Sequence, residues 1–139
     1  MPILLCGETL ESLSSHDLVF AEKGGLVAIE AEHFTKQELT EKRAWYLTTQ
    51  DHTPDLQPDG DPSHIEGASG GAYLELLPDT RRNHGERLIR EVNFTEEMGA
   101  MAVLSYPVHF ETSGTYWIWA RAYSTTTEDN GLHLSLIHI

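Results

Sequence analysis

Apolar and polar residues alternate in MAVLSYPVHF, residues 101–110. Alternation with a period of two is typical of a β-strand that buries one face. The residues that would share the buried face are Leu104, Tyr106, Val108 and Phe110. Pro107 lacks the backbone donor that a central strand needs, so we expect it at a sheet edge or a bulge.

The neighbouring stretches extend this β pattern in both directions. Downstream, a turn at 111–114 leads into TYWIWARAY (115–123), and residues 129–131 predict a turn into a last strand. Upstream, the β-prone runs are LVAIEAEHF (26–34), WYLTT (45–49) and GAYLELL (71–77), the last entered from a turn at 67–70. A short helix is predicted over 35–43 and a long polar loop over 51–64. Short strands with little helix predict an all-β sandwich.

The composition excludes several classes of partner. With 22 Asp and Glu against 9 Lys and Arg, the net charge is −13. Nucleic acids and anionic membranes need a basic footprint, whereas this charge suits a neutral ligand or bound cations. No stretch approaches the ~20 apolar residues of a membrane helix. Cys6 and Ser69 have no partner motif, so nothing supports nucleophilic catalysis.

The two ends of the chain are set apart from the predicted domain. Residues 1–24 are expected to be a linker or the start of the domain, and they lack the basic start and long apolar run of a signal peptide. The last six residues, LSLIHI (134–139), read as the in-frame translation of the end of a common transposon sequencing adapter, although they would also suit a native strand. We therefore expect a single β-sandwich domain over 25–133 that is incomplete at its C-terminus.

Two carboxylates stand out in the run at 26–34. In a strand, Glu30 and Glu32 would leave one face about 7 Å apart, where like charges repel unless a cation neutralises them. Ca²⁺ prefers several oxygen ligands, so the pair is a candidate metal site, although spacing alone favours a solvated strand face. A glycosidase pair is poorly supported, since nothing marks either residue as a general acid. The acidic loop residues Asp51, Asp55, Asp59 and Asp61 lack the spacing of a calcium loop and are expected to be solvated.

The predicted strand at 115–123 is rich in aromatic residues. One face would pack into the core and carries Tyr116, Ile118, Ala120 and Ala122. The opposite face carries Trp117, Trp119, Arg121 and Tyr123. Aromatic rings stack on the apolar faces of sugars, and a guanidinium can hydrogen-bond sugar hydroxyls. This face therefore indicates either a binding surface or a second packing layer in which Arg121 pairs with a buried carboxylate.

Three segments in this order resemble a known family. They are VAIEAE (27–32), ASGGAYL (68–74) and GTYWIWARA (114–122). They resemble the β-jelly-roll carbohydrate-binding modules of the galactose-binding-like superfamily, especially families 6 and 35, over about residues 25–133. RAWYLTT (43–49) and LLPDTR (76–81) are similar to bacterial modules found beside glycan-degrading domains or in proteins of unknown function. The C-terminal module of xylan α-1,2-glucuronidases is a related resemblance.

The resemblance implies a jelly-roll β-sandwich with a structural Ca²⁺ that bridges the first strand and the chain's end. Glu30 and Glu32 would be ligands of this ion, while the closing acidic ligand and part of the sugar-binding loops would lie beyond residue 133. The resemblance also implies binding without catalysis, in a parent protein that works in the extracellular or periplasmic space.

We therefore predict a non-catalytic module, not itself an enzyme, that holds a catalytic domain of the same parent chain on a polysaccharide. The residues expected to contact sugar are Tyr73, Trp119 and Tyr123, with Arg121 as their polar partner. One alternative is a structural or adhesion β-sandwich that binds no sugar. The other is an accessory or catalytic part of a glycoside hydrolase or lyase.

Overall fold

The computed structural model describes residues 19–60, 62–81, 85–123 and 132–136. Within these ranges the chain forms six strands: β1 (Phe20–Ala21), β2 (Lys36–Glu38), β3 (Ala44–Thr49), β4 (Ala72–Leu77), β5 (Val103–Ser105) and β6 (Val108–His109). They form three two-stranded sheets, in which β1 pairs with β6 in parallel and the pairs β2–β5 and β3–β4 are antiparallel. The described residues also form three 3-10 turns of three residues each, at Ala31–His33, Ile65–Gly67 and Ser69–Gly71. The protein is all-β, and none of the described residues belongs to a helix that could cross a membrane.

The longest ladder joins β3 to β4 and confirms the strands predicted at 45–49 and 71–77. Trp45 lies opposite Leu76, and Thr48 lies opposite Tyr73. Aromatic and branched residues suit such a pleated surface. Thr48 and Leu77 are both fully buried, so this ladder contains the best-packed part of the described chain.

The turn before β4 depends on glycine. Gly70 and Gly71 have φ values of 64° and 73°, which lie in the left-handed region that residues with a Cβ rarely adopt. This turn confirms the sequence prediction and directs the chain into β4 beside Ala31–His33.

Pro107 divides the strand predicted over 101–110. The chain forms β5, leaves the ladder at Tyr106 and Pro107, and resumes as β6. Strand β5 pairs with β2, whereas β6 pairs with β1, so the chain changes its partner at the proline. The Pro107 carbonyl still accepts a 2.9 Å hydrogen bond from the Phe20 amide. The predicted interruption is confirmed, but Phe110 is exposed instead of buried.

Two of the sequence predictions upstream are wrong. Residues 36–38 form β2 instead of a helix, because pairing with β5 overrides the local helical propensity of Lys, Gln and Glu. The stretch at 26–34 is not a strand: it ends in the 3-10 turn at Ala31–His33, and the described residues supply no partner strand for it. Only Phe34, at its end, is buried.

The aromatic segment, residues 115–123, also differs from its prediction. It has no ladder partner within the described ranges, and Ile118 is 57% exposed. The prediction that Ile118, Ala120 and Ala122 pack into the core is therefore wrong, since a strand needs neighbours to bury a face. Tyr116 alone on that side is half-buried. Leu134 and Leu136 are exposed, and the turn predicted at 129–131 lies outside the described residues.

Candidate functional site

Three of the four residues predicted to contact sugar meet at the turn formed by residues 64–67. The ring of Tyr123 stacks on His64, with ring centroids 3.6 Å apart and an interplanar angle of 19°. Arg121 Nη2 donates a 2.9 Å hydrogen bond to the Gly67 carbonyl. The Tyr73 hydroxyl accepts a 3.4 Å hydrogen bond from the His64 amide. The 64–67 turn thus joins the end of the aromatic segment to β4.

Local backbone bonds shape this turn. The amide of Gly67 donates to the His64 carbonyl at 3.1 Å, and the amide of Ala68 donates to the Ile65 carbonyl at 3.1 Å. Tyr73 follows on β4, where its pairing with Thr48 of β3 fixes its position. The longest ladder of the protein therefore supports one side of the cluster.

The two tryptophans of the aromatic segment project into solvent. Trp117 is 82% exposed and Trp119 is 90% exposed. In an extended chain, residues two apart lie on the same side, which would align both rings with Arg121 and Tyr123. Because Arg121 is itself exposed and donates to a backbone carbonyl, these residues do not form the second packing layer considered from the sequence.

The other end of the aromatic segment is held by Glu22, a residue that the sequence analysis did not single out. Glu22 is 7% exposed, and its carboxylate accepts hydrogen bonds from the Tyr116 hydroxyl at 2.6 Å and the Thr112 amide at 2.9 Å. The Thr112 hydroxyl and the Gly25 amide add two more. Tyr116 also packs on Phe110, with ring centroids 4.3 Å apart. Trp117 and Trp119 therefore lie between two anchored ends.

These hydrogen bonds favour the charged form of Glu22. The bond from Tyr116, followed by that from the Thr112 amide, lowers the pKa of the carboxyl from 4.5 to about 2, against the opposing effect of burial. The same bond raises the pKa of the Tyr116 phenol. Glu22 lies between the end of β1 and a Gly-Gly pair, within a stretch that looked like a linker, so no spacing pattern marked it.

Glu30 and Glu32 both approach the turn at Ser69–Gly71, although not from a strand. Glu30 Oε1 accepts a 2.8 Å hydrogen bond from the Ser69 hydroxyl, and a Cβ added at Gly70 would lie 3.9 Å from Glu32 Oε1. Burial, followed by the charge of Glu32, raises the pKa of the nearby Tyr106 to about 12. The Tyr106 hydroxyl donates to the Ala31 carbonyl at 2.7 Å.

Glu30, Glu32 and Ser69 supply only part of the coordination that a calcium ion needs. Ca²⁺ takes six to eight oxygen ligands, and carboxylates are its usual anionic donors. No group of three or more His, Cys, Asp or Glu side chains suited to a metal occurs in the described part of the chain. Two carboxylates and one hydroxyl do not by themselves complete the coordination. In the acidic loop, Asp51 and Asp55 are exposed, and Asp61 lies outside the described residues.

Comparison with known proteins gives one informative match. The chain is 46% identical over 126 residues to a protein of Formosa agariphila described as "Uncharacterized protein P23". The match covers 91% of this chain, which spans about 30% of the length of that curated relative. No protein-family model matches the chain, and no solved structure matches it. The relative's description names no activity.

Proposed function

We propose that this chain is a non-catalytic carbohydrate-binding module that holds an attached glycan-degrading domain on a polysaccharide outside the cytoplasm. One observation carries the proposal: Trp117 and Trp119 are 82% and 90% exposed on a segment that is anchored at both ends. An aromatic pair held in this way offers two broad apolar surfaces at a defined place.

The physical chemistry of these rings suits a sugar. A Trp side chain can bury 150–250 Å² in total, so covering roughly half of it at about 25 cal/mol per Å² recovers on the order of 2 kcal/mol per ring. The axial C–H groups of a pyranose form a flat apolar face of matching size. The pyranose hydroxyl groups remain at the rim, where Arg121 and Tyr73 offer polar partners.

The charge of the chain favours an uncharged polymer. The net charge of −13 repels polyanions over the whole surface. Arg121, the cation nearest to the exposed rings along the chain, already donates to the Gly67 carbonyl. A neutral polysaccharide meets neither repulsion nor a need for a free cation.

In this proposal the three small sheets belong to a jelly-roll β-sandwich, and a structural Ca²⁺ binds at Glu30 and Glu32. The bend around Ser69–Gly71 brings both carboxylates to one turn. Further oxygen ligands would have to come from elsewhere in the protein. The Formosa agariphila relative is about three times as long as the matched stretch, which suits a module joined to a further domain.

Retention on polysaccharides tests the proposal. Affinity gel electrophoresis in soluble xylan, mixed-linkage β-glucan and mannan would compare the wild-type chain with Trp119→Ala and with Phe94→Ala, an exposed aromatic outside the segment. We expect at least one polysaccharide to retard the wild-type protein and the Phe94→Ala variant, and Trp119→Ala to lose most of that retardation at an unchanged melting temperature.

Three outcomes would overturn the proposal. Absence of retardation in every gel would favour a structural or adhesion sandwich. Equal losses of retardation and melting temperature in Trp119→Ala would identify Trp119 as a packing residue. Release of reducing sugar by the purified chain would instead favour the hydrolase or lyase alternative.

A further inference from the structure

We infer that His64 is a positioning residue of the glycan site, which fixes the orientation of Tyr123 and presents only one face of its ring to a sugar. The inference rests on the proposed function and extends it to a residue outside the predicted set of sugar contacts.

The first argument is that His64 connects the residues of the cluster. Its imidazole stacks on Tyr123, and its amide donates to the Tyr73 hydroxyl. Its carbonyl accepts a hydrogen bond from the Gly67 amide, and the Gly67 carbonyl in turn accepts one from Arg121 Nη2. One residue therefore links the end of the aromatic segment to β4 through three separate contacts.

The second argument concerns how the imidazole is held. His64 Nε2 is buried and has no hydrogen-bond partner among the described residues. No hydrogen bond from that nitrogen to a described residue orients the ring, whereas the stacking on Tyr123 does. The two rings consequently fix each other.

The third argument concerns which surface remains free. A phenol ring has two faces, and His64 covers one of them at a centroid distance of 3.6 Å. Tyr123 is nevertheless 60% exposed, so its opposite face is open to solvent. A sugar that stacks on Tyr123 would therefore bind on the face away from His64. Removing the imidazole would free the phenol to rotate and would open its second face.

Ordering a mobile side chain on binding costs about 0.5–1.5 kcal/mol, which corresponds to roughly a 2- to 10-fold change in affinity. We expect His64→Ala to weaken polysaccharide binding by this factor. His64→Phe restores a flat ring without the nitrogens, so it should bind within about twofold of the wild-type chain. His52→Ala is the matched control, because His52 is exposed and its hydrogen bonds to Thr49 are formed by backbone atoms.

The experiment combines two measurements on the full chain. Proton NMR would record the ring-proton shifts of His64 in the wild-type protein and in Tyr123→Ala, since a stacked phenol moves them upfield. Affinity electrophoresis in xylan, mixed-linkage β-glucan and mannan would give dissociation constants for the three histidine variants. Melting temperatures would be recorded in parallel. We expect an upfield shift that Tyr123→Ala removes, weaker binding by His64→Ala at a melting temperature lowered by no more than a few degrees, and rescue by His64→Phe.

The contrary outcomes separate this inference from the proposed function. If the wild-type chain is retarded but His64→Ala binds equally well, or His64→Phe fails to rescue, the positioning role is refuted while the module proposal stands. A missing upfield shift in a chain that binds has the same consequence. If the shift is present and no polysaccharide retards the wild-type chain, the proposed function fails, and the role of His64 in binding fails with it.

Discussion

The hydroxyl of Tyr116 donates a 2.6 Å hydrogen bond to Oε2 of Glu22, a residue 94 positions earlier in the chain. Glu22 follows directly after β1, and Tyr116 lies near the start of the aromatic segment. The bond therefore connects the first strand to the segment that carries the proposed binding surface. Thr112 reinforces the connection with its amide and its hydroxyl.

This contact predicts a specific acid sensitivity. Because folding lowers the pKa of Glu22 from 4.5 to about 2, its contribution to the free energy of unfolding is present above pH 4.5 and is lost as the pH falls toward 2. We expect Glu22→Gln to lower the melting temperature at neutral pH and to flatten its acid dependence in that window. Thermal unfolding followed by circular dichroism at several pH values would measure both effects.

The matched control for that experiment is Glu38→Gln. Glu38 pairs with Lys36 at 2.6 Å, but both side chains are more than half exposed, and exposed pairs contribute little. The control should follow the acid dependence of the wild-type protein. If Glu22→Gln follows it equally closely, the Glu22 contact does not stabilise the fold.

Replacing Arg43 is expected to cause a second loss of stability, because its side chain is part of a largely buried ion pair. Its side chain is 13% exposed, and Nε donates to the Pro78 carbonyl at 2.9 Å, while Nη2 lies 3.3 Å from Asp79 Oδ1. The other Asp79 oxygen accepts the amide of Gly60 at 2.8 Å, so the pair also ties down the long polar loop. We expect Arg43→Ala to lower the free energy of unfolding by about 3 kcal/mol, because it leaves a partly buried carboxylate without its cation.

Denaturant titration would measure this loss, with Arg90→Ala as the comparison. The Arg90 side chain is 59% exposed, so its pairs with Glu91 and Glu96 should contribute less than about 1 kcal/mol. Arg43→Lys should also destabilise, since an ammonium group cannot reproduce the planar fork of a guanidinium. Equal effects of the Arg43→Ala and Arg90→Ala substitutions would refute the structural role of Arg43.

Shortening the side chain of Leu77 should open a cavity in the β3–β4 sheet and lower the free energy of unfolding. Leu77 is fully buried and lies opposite Ala44 at the end of the ladder. Leu77→Ala should lower the free energy of unfolding by about 2–5 kcal/mol through lost burial and the cavity left behind. Leu39→Ala, at a side chain that is 52% exposed, should change it by less than about 1 kcal/mol. Urea titrations that rank the two variants in the reverse order would show that this ladder is not the core.

The proposed calcium site predicts that Ca²⁺ stabilises the folded protein through Glu30 and Glu32. If Ca²⁺ binds at Glu30 and Glu32, adding it should raise the melting temperature of the protein, and a chelator should reverse the gain, because a ligand that binds only the folded state stabilises it. The double variant Glu30→Gln/Glu32→Gln should not respond. Equal melting curves of the wild-type domain with calcium and with chelator would refute the metal proposal.

The parts of the structure that were predictable are those with local signals. The β-prone runs at 45–49 and 71–77, together with the glycines before Ala72, correctly located β3, β4 and the turn that precedes β4. Lys36–Glu38 could not be recognised as a strand, because only the distant partner Val103–Ser105 makes it one. Periodicity at 26–34 and 115–123 indicated strands, but periodicity does not report whether a neighbouring strand is available.

The residues of the candidate site likewise fall into those that local sequence signals predicted and those that they did not. Arg121 and Tyr123 were named from residue type and alternation and Tyr73 from its residue type, and the structure brings the three together at one turn. His64 and Glu22 escaped notice, since each acts through contacts with residues far away in sequence. Neither residue carries a periodic signal, because His64 lies in a loop rich in Pro and Asp and Glu22 stands alone shortly before two glycines.

The aromatic segment has no ladder partner among the described residues, and this affects how the chain behaves in solution. Residues 117–123 are all exposed, and an extended apolar stretch without a ladder partner tends to pair with other chains. The net charge of −13 opposes that encounter by mutual repulsion. Because the Debye length shrinks from about 10 Å at 0.1 M salt to about 3 Å at 1 M, this repulsion weakens as salt is added. The acidity of the chain thus acts as a colloidal stabiliser, and its solubility should fall as ionic strength rises.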